Sequence, residues 1–307
     1  MEANRKHKDS LFRSLFGNEA ALRELYAAIE GVELPPGVPV IINTLEDALI
    51  KTKINDVSFT VGNKLVLFVE HQSTINFNMP VRLLSYGARV YEKILAVNKK
   101  GQLYGKKGIT LPRPEFFVLY NGVAPYQDTE VLRLSESFAD ASEFGFAKDA
   151  PPALELVAQV YNINEGHNRE MVQKAETLDG YTALIAKIRE FEAELMGGRK
   201  PGDFSKEERA VIEKNAMKKA IKWCAAHNKI KEYLEQHETE VFNMLFDEWK
   251  LDEALVVERE EGREEGREEG RAEDVRKLLS FGMAPEQIAQ AFEITPEAVR
   301  EYQIAGE

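Results

Sequence analysis

The sequence NDVSFTVGNKLVLFVEHQ, residues 55–72, predicts two β-strands joined by a tight turn. From Asp56 to Val61, apolar and polar residues alternate, which is typical of a strand with one buried face. Residues 65–69 form an unbroken apolar run, which is typical of a strand buried on both faces. The pair Gly62-Asn63 between the two runs is a hairpin signal. We therefore expect the two strands to pair antiparallel around this turn.

Acidic and amide side chains come together at one end of this predicted hairpin. With the turn at Gly62-Asn63, Asp56 lies level with residues 69–70, so that Asp56, Glu70 and Gln72 collect at one edge of a sheet. Carboxylates at such short range repel each other unless a cation lies between them. Mg²⁺, or Mn²⁺ in its place, binds carboxylates together with phosphate and water oxygens, and such sites hydrolyse phosphodiesters. The alternative is a pair of strand-end carboxylates in water.

Short motifs in and beyond the hairpin extend along most of the chain. They are KDSLFRSLFG at residues 8–17, EHQS at 70–73, NMPVRLLSY at 78–86, LYNG at 119–122 and YNIN at 161–164. Together with Asp56, these motifs resemble the Rpn family of recombination-promoting nucleases, also described as transposases, which belongs to the PD-(D/E)XK nuclease superfamily. Taken alone, the asparagines of the last motif are typical of side chains that satisfy the backbone of turns.

The resemblance implies an α/β, restriction-endonuclease-like fold, in which a mixed sheet is flanked by helices. It implies a Mg²⁺-dependent endonuclease acting on double-stranded DNA, linked to recombination or mobile-element activity, with Asp56 and Glu70 as metal ligands. Gln72 completes the catalytic set, where the superfamily usually has lysine. A glutamine is neither a base nor a cation at neutral pH, so we expect modest turnover. The alternative is a nuclease-fold module that binds DNA or protein partners and cleaves weakly or not at all.

Four residues outside these strands are candidates for accessory roles. Asp9 either adds a carboxylate to the metal or stabilises the start of a helix through the helix dipole. Lys53 either supplies the missing positive charge or is an ordinary solvated lysine. Arg82 and Arg89 fall with Tyr86 on one stripe of a predicted helix, and such a stripe suits phosphate contact as well as pairing with nearby acids.

Composition restricts the class of protein. The chain has 307 residues, 44% of them hydrophobic, as in ordinary globular proteins. No apolar run approaches the ~20 residues of a membrane span, and residues 1–10 lack a signal-peptide core, so we expect no membrane partner. The single cysteine, Cys224, excludes an internal disulfide and favours a reducing, cytoplasmic location. We interpret Cys224 as filling a gap in a helix rather than as a nucleophile.

The net charge of −12 argues against a general polyanion binder. The charge is uneven, however, because residues 251–307 hold 16 acidic and 7 basic residues. The remainder of the chain is nearly balanced and includes a basic loop at residues 98–114. A local basic face for DNA therefore remains compatible with the overall charge.

The pattern of elements predicts four parts. Residues 1–200 form a nuclease-like domain with strands near 40–53, 115–120 and 154–161. Its stretch 125–150 is expected to be irregular, with a short ordered piece at 132–135. Helices follow from about residue 168, at roughly 168–178, 180–196, 205–226 and 230–246. They include a subdomain at 201–257, and after it come a charged glycine-repeat helix at 258–274 and a small helical tail at 275–307, whose first helix is expected to stop at Gly282. The tail resembles a helix-turn-helix, although its few basic residues make base readout doubtful.

The charged repeat has a period of four residues. Gly262, Gly266 and Gly270 recur at this spacing between Arg and Glu residues. A row of glycines makes a narrow groove along one side of a helix, which suits packing against a second copy of the chain, so that one interpretation is a homodimer through residues 259–274. The other interpretation is a charged spacer that holds the tail away from the body.

Overall fold

The computed structural model describes most of the chain. The described residues are 11–42, 56–62, 64–72, 75–98, 102–140, 151–292, 294–295, 298–299 and 302. The chain divides into two compact units, Met1–Asp247 and Glu248–Glu307. Among the described helices, none combines the length and the apolar character that crossing a bilayer requires.

The described strands form one mixed sheet of six strands. In chain order they are β1 (Val40–Ile42), β2 (Asp56–Val61), β3 (Lys64–Gln72), β4 (Arg113–Tyr120), β5 (Thr129–Arg133) and β6 (Val157–Asn162). Across the sheet the order is β1-β2-β3-β4-β6-β5; β2 is antiparallel to β1 and β3, β4 is parallel to β3 and β6, and β5 is antiparallel to β6. The predicted α/β class with a mixed sheet is therefore confirmed.

The predicted hairpin is present as β2 and β3. Its register runs from Val61 opposite Lys64 at the turn to Asp56 opposite Val69 at the open end. Gly62 has a φ of 56°, a left-handed conformation that glycine adopts without the steric cost of a Cβ atom. The antiparallel pairing around this turn is thus confirmed.

The first helices cover one face of the sheet. They are α1 (Leu11–Leu15) and α2 (Glu19–Glu30), and Asn18 begins α2 by accepting a hydrogen bond from the backbone nitrogen of Ala21 at 2.9 Å. On this face the Tyr26 hydroxyl donates to Glu115 and accepts from Lys64, both at 2.9 Å. The hydrogen bond from Lys64 to Glu115 raises the pKa of Lys64 above its ordinary value. The trio ties α2 to β3 and β4.

The opposite face of the sheet is covered by α3 (Met79–Asn98), which connects the parallel strands β3 and β4. Met79, Leu83 and Val90 of α3 are buried in one cluster with Val118 and Val160 of β4 and β6. Because residues 115 and 118 of one strand point to opposite faces, α2 and α3 lie on opposite sides of the sheet. The sheet is therefore flanked by helices on both faces, as expected.

Two strand predictions differ from the structure. The stretch 125–150 was expected to be irregular apart from a short ordered piece at 132–135, but the order begins earlier, because Thr129–Arg133 form β5 at the edge of the sheet. In β5 only Leu132 is buried and its neighbours are exposed, so the strand carries too little alternation to be recognised. For the strand expected at 40–53, β1 covers Val40–Ile42, and residues 43–53 lie outside the described part of the chain.

The remaining elements are helices, as predicted from residue 168 onward. They are α4 (Arg169–Lys174), α5 (Glu176–Met196), α6 (Lys206–Ala226), α7 (Lys231–Ser280) and α8 (Pro285–Ala291). The segments expected as separate helices at 230–246 and 259–274 both belong to α7, whose one non-helical residue is His237 (φ −128°, ψ 23°). Each glycine of the repeat costs a helix about 1 kcal/mol, and Glu–Arg pairs three or four residues apart return part of this cost.

The C-terminal unit has its own small core. Val275, Ile288, Ala289 and Val299 are its buried residues. The predicted stop of the first tail helix is confirmed, since α7 ends at Ser280 and Gly282, two residues further, has a φ of 81°. The side chains of residues 251–266 lie outside the described part, so the homodimer through 259–274 stays a prediction.

Replacing Gly180 by alanine is expected to destabilise the first unit. A Cβ atom on Gly180 of α5 would lie 2.4 Å from Cγ2 of Ile230 and 3.1 Å from its backbone nitrogen. Ile230 has a φ of 43°, so its backbone is already strained. We expect overpacking of about 1–3 kcal/mol to exceed the helix-propensity gain of about 1 kcal/mol, and thermal unfolding followed by circular dichroism measures the balance.

The matched control is Gly270→Ala in α7, where a Cβ atom would meet nothing within 4 Å. This substitution keeps the propensity gain without the clash, so we expect no loss of stability. A Gly180→Ala variant that melts at or above the wild-type temperature would contradict the close contact between α5 and Ile230.

Candidate functional site

The predicted site residues lie at one edge of the sheet. The parallel strands β3 and β4 end there at Gln72 and Tyr120, which are partners in the register. Because β2 is antiparallel to β3, its first residue, Asp56, lies at the same edge and opposite Val69. The backbone therefore brings residue 56 next to residue 70, as expected from the position of the turn.

The strand β3 has an irregularity at this edge. Val69 pairs with Val118 and Gln72 pairs with Tyr120, so that β3 advances by three residues while β4 advances by two. The extra residue lies within the stretch that contains Glu70. Such a bulge interrupts the alternation of side chains along a strand and is frequent beside active sites.

The predicted catalytic and accessory residues are described to different extents. The backbones of Asp56, Glu70 and Gln72 are described and their side chains are not. Asp9 and Lys53 lie outside the described residues. The roles given to these five residues therefore stay predictions.

The stripe of Arg82, Tyr86 and Arg89 is present on α3. Tyr86 is buried, and Nη2 of Arg82 donates to its hydroxyl at 3.3 Å while the guanidinium lies 5.9 Å from the ring centre. Nη1 of Arg89 is buried without a hydrogen-bond partner among the described residues. A buried donor without an acceptor costs about 1–3 kcal/mol, so this nitrogen is suited to an oxygen from an added ligand.

Asparagines form a polar cluster where β4 and β6 end. Asn121 and Asn162 are each 1% exposed. Nδ2 of Asn162 donates to the carbonyl oxygen of Tyr126 at 2.9 Å, and Nδ2 of Asn164 donates to that of Gly122 at 3.0 Å. The expectation that these side chains satisfy turn backbone is confirmed, and they fix the loop after β4 to the end of β6.

Arg189 of α5 reaches this cluster from a distant part of the chain. Its Nη1 donates to Oδ1 of Asn164 at 2.7 Å and to Oδ1 of Asn121 at 3.4 Å, and its Nη2 donates to the carbonyl oxygen of Asn121. Arg189 was not predicted as a functional residue, because in the helical periodicity of the sequence it is one more polar residue of an amphipathic helix. The available signal was the pair of asparagine motifs at strand ends, which need partners once buried.

The thiol of Cys224 is expected to resist modification in the folded protein. Cys224 is fully buried in α6, and burial raises its pKa to about 12. The reactive thiolate is therefore scarce at pH 8, so a chromogenic disulfide reagent should react slowly until denaturant is added. Because folding favours the neutral thiol, this group's contribution to stability is present below pH 9 and declines as the pH rises from 9 towards 12.

Fast reaction of Cys224 at pH 8 without denaturant would contradict the burial of Cys224. The same reagent on unfolded protein is the control, because it reports the full thiol content. The interpretation of Cys224 as a buried helix residue is confirmed by its position in α6.

Within the described part of the chain, no group of three or more His, Cys, Asp or Glu side chains is arranged to hold a metal ion. The side chains of Asp56 and Glu70 are not among those described. No protein-family model, no curated protein and no solved structure matches the chain.

Proposed function

We propose that the protein is a Mg²⁺-dependent endonuclease that hydrolyses phosphodiester bonds of double-stranded DNA, in recombination or mobile-element activity. The observation that supports this most is the hairpin register, in which Asp56 lies opposite Val69 and thus beside Glu70. Two carboxylates at adjacent positions of paired strands are the kind of oxygen ligands that Mg²⁺, or Mn²⁺, takes from proteins.

The fold proposed for residues 1–200 is restriction-endonuclease-like. The mixed sheet with helices on both faces agrees with this assignment.

The irregularity in β3 supports the proposed metal site. In a regular strand a residue next to Val69 would lie on the face opposite to Asp56, because neighbouring side chains alternate. An extra residue between Val69 and Gln72 interrupts this alternation. The side chain of Glu70 is then not restricted to the face opposite Asp56, and two carboxylates that bind one metal ion need this freedom.

In the proposed hydrolysis, the chain's own residues have separate roles. A bound Mg²⁺ would polarise the phosphate and lower the pKa of a water molecule. Asp56 and Glu70 would hold the ion, and the Gln72 amide would orient the attacking water, since it donates and accepts hydrogen bonds without taking a proton. The buried Nη1 of Arg89 is suited to a phosphate oxygen, and Arg82 lies about two turns away on the same stripe of α3.

A supercoiled-plasmid assay tests the proposed function. We expect conversion to nicked and linear DNA with Mg²⁺ and none with a chelator, and calorimetric titration should detect Mg²⁺ binding to the protein alone. Gln72 at the position of a lysine favours a second candidate, a binding module. Mg²⁺ binding and DNA binding without any conversion of the plasmid would support the module and contradict the endonuclease.

A further inference from the structure

Gln72 leaves the proposed site without the positive charge that a lysine would supply, and a guanidinium lies at the same edge of the sheet. Gln72 pairs with Tyr120, and Nη2 of Arg189 donates to the carbonyl oxygen of the next residue, Asn121. Arg189 is therefore held one residue beyond the partner of Gln72. Arg189 belongs to α5 (Glu176–Met196), so its position does not depend on the strands that carry the carboxylates.

The guanidinium of Arg189 is held in a fixed orientation. Oδ1 of Asn164 accepts from its Nη1 at 2.7 Å, and Asn121 accepts through both its side-chain and its backbone oxygens. Asn164 is in turn fixed by Oδ1 of Asn162, which accepts from its Nδ2 at 2.9 Å. A guanidinium oriented before the ligand arrives loses little side-chain freedom on binding, which favours recognition of an oxyanion.

A second hydrogen-bond donor lies beside the guanidinium. Asn121 is 1% exposed, and its Nδ2 has no hydrogen-bond partner among the described residues. A buried donor without an acceptor is unfavourable, so among the described residues the cluster keeps a donor that an acceptor from an added ligand would satisfy. The guanidinium of Arg189 and the amide donor of Asn121 lie close together. Such a pair suits a ligand that carries several oxygens on one atom, as phosphate does.

A purely structural role accounts for less of this arrangement. The loop after β4 is already tied to β6 by Asn162 donating to Tyr126 and Asn164 donating to Gly122, and neither bond involves a charged group. A structural account also leaves Nδ2 of Asn121 unpaired. A ligand oxygen accounts for this amide donor.

We propose that Arg189, oriented by Asn121 and Asn164, binds a non-bridging oxygen of the DNA phosphate next to Asp56 and Glu70, and so supplies the charge that Gln72 lacks. The inference rests on the proposed function for the identity of the ligand. Removing one such charge-assisted donor from a phosphate in a hydrolytic site costs about 10²–10³-fold in rate.

The test compares Arg189→Gln, Arg189→Lys and the control Arg169→Gln, an exposed arginine on α4. Three quantities are measured for each variant: the melting temperature, the affinity for inorganic phosphate by calorimetry, and the rate of Mg²⁺-dependent plasmid nicking. We expect Arg189→Gln to remain folded, to bind phosphate at least about tenfold more weakly and to nick about a hundredfold more slowly. Arg189→Lys should recover part of both losses because it keeps the charge, and Arg169→Gln should match wild type.

Two outcomes overturn the role of Arg189. One is a folded Arg189→Gln variant that binds phosphate as wild type does. The other is equal loss in Arg189→Gln and Arg189→Lys, in proportion to a lower folded fraction, which is the behaviour of a structural residue. If wild type shows no nicking, the proposed function fails, and the phosphate titration still decides: dependence on Arg189 supports the anion site and independence rejects it.

Discussion

Replacing Glu70 by glutamine is expected to lower Mg²⁺-dependent nicking of supercoiled plasmid by about a thousandfold. The substitution keeps the size of the side chain and removes the charge that a hard divalent cation requires. A metal ion contributes several kcal/mol of transition-state stabilisation, and each 1.36 kcal/mol is a factor of about ten in rate. Asp56→Asn should have a similar effect, since Asp56 lies opposite Val69 in the hairpin and thus beside Glu70.

The control for Glu70→Gln is Glu92→Gln, which removes an exposed carboxylate from α3 and should nick at the wild-type rate. Calorimetry should show weaker Mg²⁺ binding for Glu70→Gln and unchanged binding for Glu92→Gln. Equal nicking by wild type, Asp56→Asn and Glu70→Gln, all with the wild-type melting temperature, would remove the carboxylate pair from the mechanism.

Replacing Phe12 by alanine is expected to cost about 3–5 kcal/mol of unfolding free energy, because the cavity left by a buried aromatic side chain collapses only in part. Phe12 is fully buried, with ring centroids 4.4 Å from Phe16 and 5.5 Å from Tyr181. For a unit of this size the loss corresponds to a melting temperature lower by about 10 °C. Chemical denaturation followed by tryptophan fluorescence measures the free energy directly.

Phe77→Ala is the matched control for Phe12→Ala, because Phe77 is 65% exposed and its removal leaves no cavity. A Phe12→Ala variant as stable as Phe77→Ala would show that α1 is not packed against α5. Since α5 also carries Arg189, a destabilised Phe12→Ala variant should lose phosphate affinity only as far as the unit unfolds.

The hairpin was predictable because its register is set locally. The sequence Gly62-Asn63 predicts the turn, and counting back from it places Asp56 opposite Val69, which the structure has. The extra residue of β3 near Glu70 was not predictable, because a bulge depends on how β3 pairs with β4, a strand that begins at Arg113. The side-chain roles at this edge stay predictions, because the side chains of Asp56, Glu70 and Gln72 lie outside the described part of the structure.

The edge strand β5 and the hydrogen bonds of Arg189 could not be predicted from the sequence. β5 has one buried residue, Leu132, so its pairing with β6 decides its conformation more than its own pattern does. Arg189 is hydrogen-bonded to Asn121, which lies 68 positions earlier in the chain. The periodicity of α5 carries no information about such a contact. Long-range tertiary contacts, rather than local propensity, determine both features.

The position of Arg189 in the chain also determines when the edge of the sheet is completed during synthesis. Its hydrogen-bond partners precede it by 68 and 25 positions, so both asparagines leave the ribosome well before the arginine. A nascent chain that ends before α5 holds the hairpin and the strand ends but lacks the guanidinium. Translation must therefore proceed past the whole sheet before this cluster can form, and truncated products cannot assemble it.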